Sequence, residues 1–152
     1  MKTRGITFLE SQKIPFTILT YEHKVKGAEY AAYMLNVPVE QMIKTIVVKD
    51  EKSKFYFCLM PGDLDFSLKK VARLLNVKTI ALAKEDEAER ATGYLVGGIS
   101  PFGSKKYLPV LLNLSLTAFD EIYINAGARG MILKLKLQNL INLLKPIIDD
   151  FA

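Results

Sequence analysis

Apolar residues recur along this chain at two spacings, and the two spacings alternate. From Leu68 to Leu75 they fall three and four apart, at Leu68, Val71, Ala72 and Leu75, with Lys69, Lys70 and Arg73 elsewhere. That period lines one face of a helix, and Ser67 stands where a cap is needed. Thr3 to Lys13 carries Ile6 and Leu9 at helical spacing, with Thr3 as its cap and Pro15 as its stop. Ala28 to Leu35 is alanine-rich and helical, ended by Asn36 and Pro38, and a helical turn through Gln41, Met42 and Ile43 follows. Lys84 to Ala91 predicts a charged helix, and Gln138 to Leu144 a final one before Pro146.

Strand spacing fills the intervals. Phe16–Tyr21 alternates and is rich in β-formers, and Thr45–Val48 and Phe55–Met60 flank the polar hairpin loop Asp50–Ser53. Shorter strands are predicted at Thr79–Ala83, Leu108–Leu112, Ile122–Ile124 and Met131–Leu135, the last two around a loop at Gly127-Ala128-Arg129-Gly130. About seven strands and four or five helices mix without strict βαβ alternation. The pattern favours an α+β fold with a mixed sheet, open or closed, over a doubly wound parallel sheet. At 152 residues, with no repeat, linker or low-complexity segment, one domain over 1–152 is expected.

Composition narrows the function classes. Half the residues are apolar, but no apolar run approaches the ~18 residues of a membrane span. Glu10, Gln12 and Lys13 interrupt any apolar stretch behind the N-terminus, so no signal peptide is expected. One cysteine, Cys58, excludes an internal disulfide framework and fits a reducing, cytoplasmic compartment. The net charge of +5 suits a polyanionic partner without requiring one.

The familiar chemistries fail on residue counts. A structural zinc site needs about four ligands, mostly Cys and His, and the chain has only His23 and Cys58. No metal and no cofactor are therefore expected. Glu85, Asp86, Glu87 and Glu89 read as a solvated helix face. Gly98-Ile99-Ser100-Pro101-Phe102 has the first half of a nucleophile elbow, but Pro101 removes the N–H that would complete an oxyanion hole. Cys58 lies in an apolar strand and reads as a small buried hydrophobe. Gly98 and Gly103 have P-loop spacing, but Ser104-Lys105 is the wrong order and a strand follows where a helix is required.

Two features survive. The run from Thr92 to Lys105 holds four glycines and a proline between two apolar, strand-like segments. Such a loop can present backbone N–H groups to an anionic or carbonyl oxygen. Lys44-Thr45 stands at the start of a strand, where the lysine is either an exposed strand end or a cation aimed into a pocket.

Together these pieces resemble the YbaK family of aminoacyl-tRNA deacylases, related to the editing domain of bacterial prolyl-tRNA synthetases. The resemblance is carried by Lys44-Thr45, by Leu64-Asp65 with Leu68-Lys69-Lys70-Val71-Ala72, and by Thr92-Gly93-Tyr94 through Gly97-Gly98-Ile99-Ser100-Pro101 to Lys105-Lys106 and Leu108-Pro109-Val110. It extends from Tyr21-Glu22-His23 to Gly127-Ala128-Arg129-Gly130. The resemblance implies a barrel-like mixed sheet flanked by helices, and hydrolytic clearance of a mischarged amino acid from tRNA, most often tRNA(Pro).

It further implies that Lys44 is the key catalytic residue. Tyr21, Thr45, the loop Gly97, Gly98, Ile99, Ser100 and Pro101, and then Asn125 and Gly127 would form the aminoacyl pocket. Backbone N–H groups from Gly97 to Ile99 would stabilise the oxyanion, with no protein nucleophile. The partners implied are tRNA and a prolyl-tRNA synthetase. Asn125 and Ile132 depart from the residues usual in cysteinyl-type relatives, a serine and an acid, so cysteinyl and alanyl substrates both stay open. A non-catalytic tRNA- or synthetase-binding module is the alternative of another class.

Overall fold

The computed structural model describes residues 2–152. Its elements are α1 (Arg4–Ser11), β1 (Thr17–Thr20), α2 (Ala28–Leu35), β2 (Ile43–Asp50), β3 (Phe55–Pro61), α3 (Leu68–Leu75), β4 (Ile80–Leu82), α4 (Glu85–Thr92), β5 (Val110–Asn113), β6 (Glu121–Ala128), β7 (Met131–Lys136), α5 (Leu137–Leu144) and β8 (Ile147–Asp149). Short 3-10 turns occupy Val39–Gln41 and Leu114–Ala118. The fold is α+β, as the mixed pattern predicts.

The strands form two sheets, ordered β1-β7-β6 and β4-β2-β3-β5-β8. The larger sheet is mixed: β3–β5 and β5–β8 run parallel, whereas β2 pairs antiparallel with β3 and β4. A single parallel bridge, Met42 to Tyr123, joins the sheets where β2 begins. The barrel-like sheet is therefore not closed; one bridge replaces the continuous ladder that closure would need.

β3 explains why the core forms where it does. Phe57 and Leu59 face one apolar cluster with Ile6, Leu9, Ile124, Leu133 and Leu140. Tyr56, Cys58 and Met60 face another, with Val71, Ala72, Ile80, Leu111 and Phe151. A strand buried on both faces reads as an unbroken apolar run, which is what Phe55–Met60 is. Each large side chain so buried contributes about 1.5–3 kcal/mol. Thr3 caps α1, accepting from the Ile6 N–H at 3.1 Å, and its hydroxyl donates to the Ala126 carbonyl, tying α1 to β6.

The β2–β3 turn is organised by one buried carboxylate. Asp50 accepts from the Lys52 and Lys54 N–H groups, each at 2.9 Å, and from the Tyr56 hydroxyl at 2.8 Å. Burial pushes its pKa up, but the hydrogen bonds to the charged form and the Lys54 charge outweigh burial, so the net shift is downward. A depressed folded pKa stabilises the fold above the unfolded value of about 4, and that stability is lost as pH falls through the folded value. Asp50→Ala should lower urea stability by about 2–3 kcal/mol at pH 7, and by less near pH 2. An equal loss at both pH values would show that the charge is immaterial.

Candidate active site

Five parts of the chain line one cavity of about 230 Å³. β2 brings Ile43, Lys44 and Thr45, with Met42 just before it; α2 and the loop ahead of it bring Lys26, Gly27, Ala28 and Ala31. The glycine-rich run contributes Val96, Gly97 and Ile99, and the β6–β7 pair contributes Asn125 and Ile132, with Tyr21 completing the wall. Asn125 and Ile132 are cross-strand partners, which puts both side chains on the same face. The floor is apolar, because Ala31, Met42 and Ile132 belong to a small third core cluster.

Lys44 is a quarter exposed, and its Nζ lies 3.5 Å from the fully exposed Asp65 carboxylate. That contact contributes little and leaves the ammonium free to change partners. The Thr45 hydroxyl is buried with no hydrogen-bond partner. Tyr21 is held protonated: burial, then Tyr30 with its ring centroid 6.0 Å away, push its pKa up.

The run from Thr92 does not follow a strand. It starts on the last turn of α4, where Gly93 caps the helix at φ 81°. Lys105 and Lys106 return their N–H groups to the Thr92 and Ala91 carbonyls, which closes the loop at its base. Glu89 accepts the Val96 N–H at 2.8 Å, and Arg129 donates to the Val96 carbonyl at 2.8 Å. Glu89 is therefore a loop anchor, and Glu87 pairs with Lys49 at 2.9 Å; these two are not part of a merely solvated face. Tyr94 donates to the Phe102 carbonyl across the loop, and burial pushes its pKa up to about 12.

The expected backbone donors separate into used and unused. The Gly98 N–H is taken by the Leu95 carbonyl at 2.8 Å. No acceptor among the described residues meets the Gly97 or Ile99 N–H, and both residues line the cavity. Gly98, Ser100, Pro101 and Gly127 do not line it. Ser100 is fully buried, its hydroxyl accepting from the Phe102 N–H. Gly127, at φ 104°, lies in the β6 bulge and packs on Tyr94.

Asn125 lines the cavity with its amide already engaged. It donates to the Gly97 carbonyl at 3.1 Å and accepts from the Gly127 N–H at 2.7 Å, joining the loop to the bulge. Cys58 is remote: it sits on β3 opposite Ile46 and Leu111, with its thiol pushed by burial up to about 12. His23 does not line the cavity either, although its Cε1 lies 3.4 Å from where a Gly97 Cβ would stand. Sequence reasoning missed Lys26, Gly27, Ala28, Ala31, Met42, Ile43 and Val96. The only local signal was the small residues at Gly27, Ala28 and Ala31, one helical turn wide, which read equally well as packing.

No described helix is long and apolar enough to cross a membrane. Among the described residues, no group of three or more His, Cys, Asp or Glu is placed to hold a metal ion.

Residues 22–143 match the aminoacyl-tRNA editing domain. An Enterococcus faecalis protein named "Putative Cys-tRNA(Pro)/Cys-tRNA(Cys) deacylase EbsC" is 28% identical over 144 residues, covering 93% of this chain and 88% of that protein. A proline–tRNA ligase of Fervidobacterium nodosum is 32% identical over 85 residues, 56% of this chain but 15% of the ligase. The fold recurs in a crystal structure described as "a putative trans-editing enzyme for prolyl tRNA synthetase", with TM-score 0.86, 24% identity, and coverage of 98% of this chain and 94% of that one. A second solved structure, of a hypothetical protein, has TM-score 0.89 at 21% identity, covering 98% of this chain and 99% of that one. By the match over residues 22–143, the chain belongs to the aminoacyl-tRNA editing domain family.

Proposed function

We propose that the chain acts in trans as a deacylase of mischarged aminoacyl-tRNA, with Cys-tRNA(Pro) as its leading substrate. One observation carries this reading: Lys44, Gly97 and Ile99 line one cavity, the N–H groups of the last two meet no acceptor among the described residues, and the lining has no cysteine, serine, histidine or carboxylate. An aminoacyl ester is already activated, so placement and oxyanion stabilisation are the main requirements. The cavity is smaller than the ~300–1,000 Å³ of typical ligand pockets, which suits a small aminoacyl group.

Lys44 would stand at the ester, polarising its carbonyl or steadying the terminal ribose or phosphate. Gly97 and Ile99 would donate to the oxyanion. For a cysteinyl ester, the substrate's own thiol sulfur attacks the carbonyl carbon. The C–O bond to the ribose breaks, the thiol proton passes to the departing ribose oxygen, and a cyclic thiolactone leaves. For an alanyl ester, water attacks and the free amino acid leaves. The apolar floor of Ala31, Met42 and Ile132 favours alanine as the second substrate. The relatedness to part of a proline–tRNA ligase supports tRNA(Pro) as the carrier, such a ligase as the enzyme whose errors are cleared, and the cytoplasm as the place of work.

The test is deacylation of tRNA(Pro) charged separately with cysteine, alanine or proline. Fast loss of cysteine or alanine with proline spared is expected. No hydrolysis of any of the three would leave the non-catalytic tRNA-binding module as the better reading.

A further inference from the structure

The cavity lining carries two charged side chains, and both are lysines: Lys44 and Lys26. Each has only a peripheral partner. Lys44 meets Asp65 at 3.5 Å, and Lys26 meets Glu85 at 3.7 Å, with the Lys26 and Glu85 side chains 53% and 73% exposed. Exposed pairs of this kind contribute about 0–1 kcal/mol, so neither lysine is committed. Two cations around one small cavity repel each other until an anion arrives, and their summed field attracts one.

The reacting group does not bring that anion. An aminoacyl ester is neutral, and its α-amino group is positive when protonated. The nearest negative charge on an aminoacylated RNA is the phosphodiester of the terminal nucleotide. Depth separates the two lysines. Lys44 is the more buried, at 25% exposure, and rises from β2 beside Thr45. Lys26, at 53% exposure on the loop leading into α2, stands at the rim. Gly27 follows it at φ 118°, with no atom within 4 Å of where a Cβ would be, so the space beside the rim is open.

We propose that Lys26 is the phosphate-binding cation of this site: it takes the terminal phosphodiester of the RNA at the rim and leaves Lys44 to the ester. The proposal rests on the tRNA-deacylase reading of the same cavity.

Binding of uncharged tRNA(Pro), followed by fluorescence anisotropy over a salt series, tests it without needing turnover. Lys26→Ala should weaken binding about three- to tenfold at low salt and reduce the slope of log K against log salt by about 0.7–1. Lys26→Arg should restore both. Glu85→Gln should bind as tightly as the wild type or tighter, because it frees Lys26. With tRNA shortened by its 3′-terminal nucleotide, wild type and Lys26→Ala should bind alike.

An unchanged slope in Lys26→Ala overturns the proposal. So does a difference that persists on the shortened tRNA, or a Glu85→Gln variant that copies Lys26→Ala. A wild type that hydrolyses no aminoacyl-tRNA yet shows the Lys26-dependent slope sinks the deacylase reading and keeps the clamp. A wild type that hydrolyses with Lys26→Ala binding normally does the reverse.

Discussion

Lys44→Ala is expected to lower kcat/KM for release of the mischarged amino acid on the order of 10²–10³-fold, with the thermal midpoint changed by no more than about 2 °C. The two expectations have separate causes. Lys44 lines the same cavity as Thr45, Gly97 and Ile99, so its loss removes the more buried of the two cations of the lining. Its one partner, Asp65, is fully exposed, so the fold loses little. The division between kinetic constants tells which atom the ammonium serves. A fall in kcat at unchanged KM marks stabilisation of the developing oxyanion, and a rise in KM marks a ground-state contact to ribose or phosphate. A folded Lys44→Ala enzyme with the wild-type rate removes Lys44 from the chemistry.

How much of this was legible depends on the range of the forces involved. Elements with a strong local period were readable to within a residue or two. Ser67 caps α3 as its spacing predicts, and α2 spans Ala28–Leu35 with Asn36 as its left-handed cap. β8 was not readable: Ile147–Asp149 is a short exposed edge strand after Pro146, specified by pairing with β5 and not by pattern. Whether the sheet closes is likewise a matter of tertiary pairing, here a single bridge at Met42.

The same split runs through the site. Lys44 and the glycine run were visible as unusual residues in apolar surroundings. The wall formed by Gly27, Ala28 and Ala31 was not, because small residues on a helix carry the same local signal whether they face a cavity or a neighbour. The occupation of individual N–H groups was not readable either. Gly97, Gly98 and Ile99 look alike as donors in sequence, and only the turn to Leu95 shows that the middle one is spent.

Gly98→Ala is the second variant with a large expected effect, and its reason differs from the one the sequence suggests. The glycine is not needed for a ligand to approach the chain, since Gly98 does not line the cavity. It is needed for backbone to approach backbone. A Cβ at Gly98 would stand 2.9 Å from the Ala128 carbonyl carbon and 3.0 Å from both the Ala128 Cα and the Arg129 nitrogen. Those atoms belong to the end of β6 and its turn into β7 and cannot rotate aside as a side chain would. The loop must lift, and it is held on both sides: by Asn125 at Gly97 and by Arg129 and Glu89 at Val96.

Lifting it costs about 1–3 kcal/mol and shifts the donors of Gly97 and Ile99 from a common target. Misplacement by about 1 Å is enough for a 10²-fold loss of rate. The expected result is therefore a folded protein, its midpoint lower by about 3–10 °C, with kcat reduced on the order of 10²-fold. Amide exchange should quicken at Gly98 and Val96, whose N–H groups are bonded to the Leu95 carbonyl and to Glu89, and not in β2. If Gly98→Ala turns over at the wild-type rate, the loop tolerates displacement and its N–H groups are not the oxyanion donors. If the rate falls while exchange at the loop is unchanged, the loss arises elsewhere than in loop placement. Lys44 and Gly98 thus test separate parts of one proposal, the charge at the ester and the rigidity of the wall facing it.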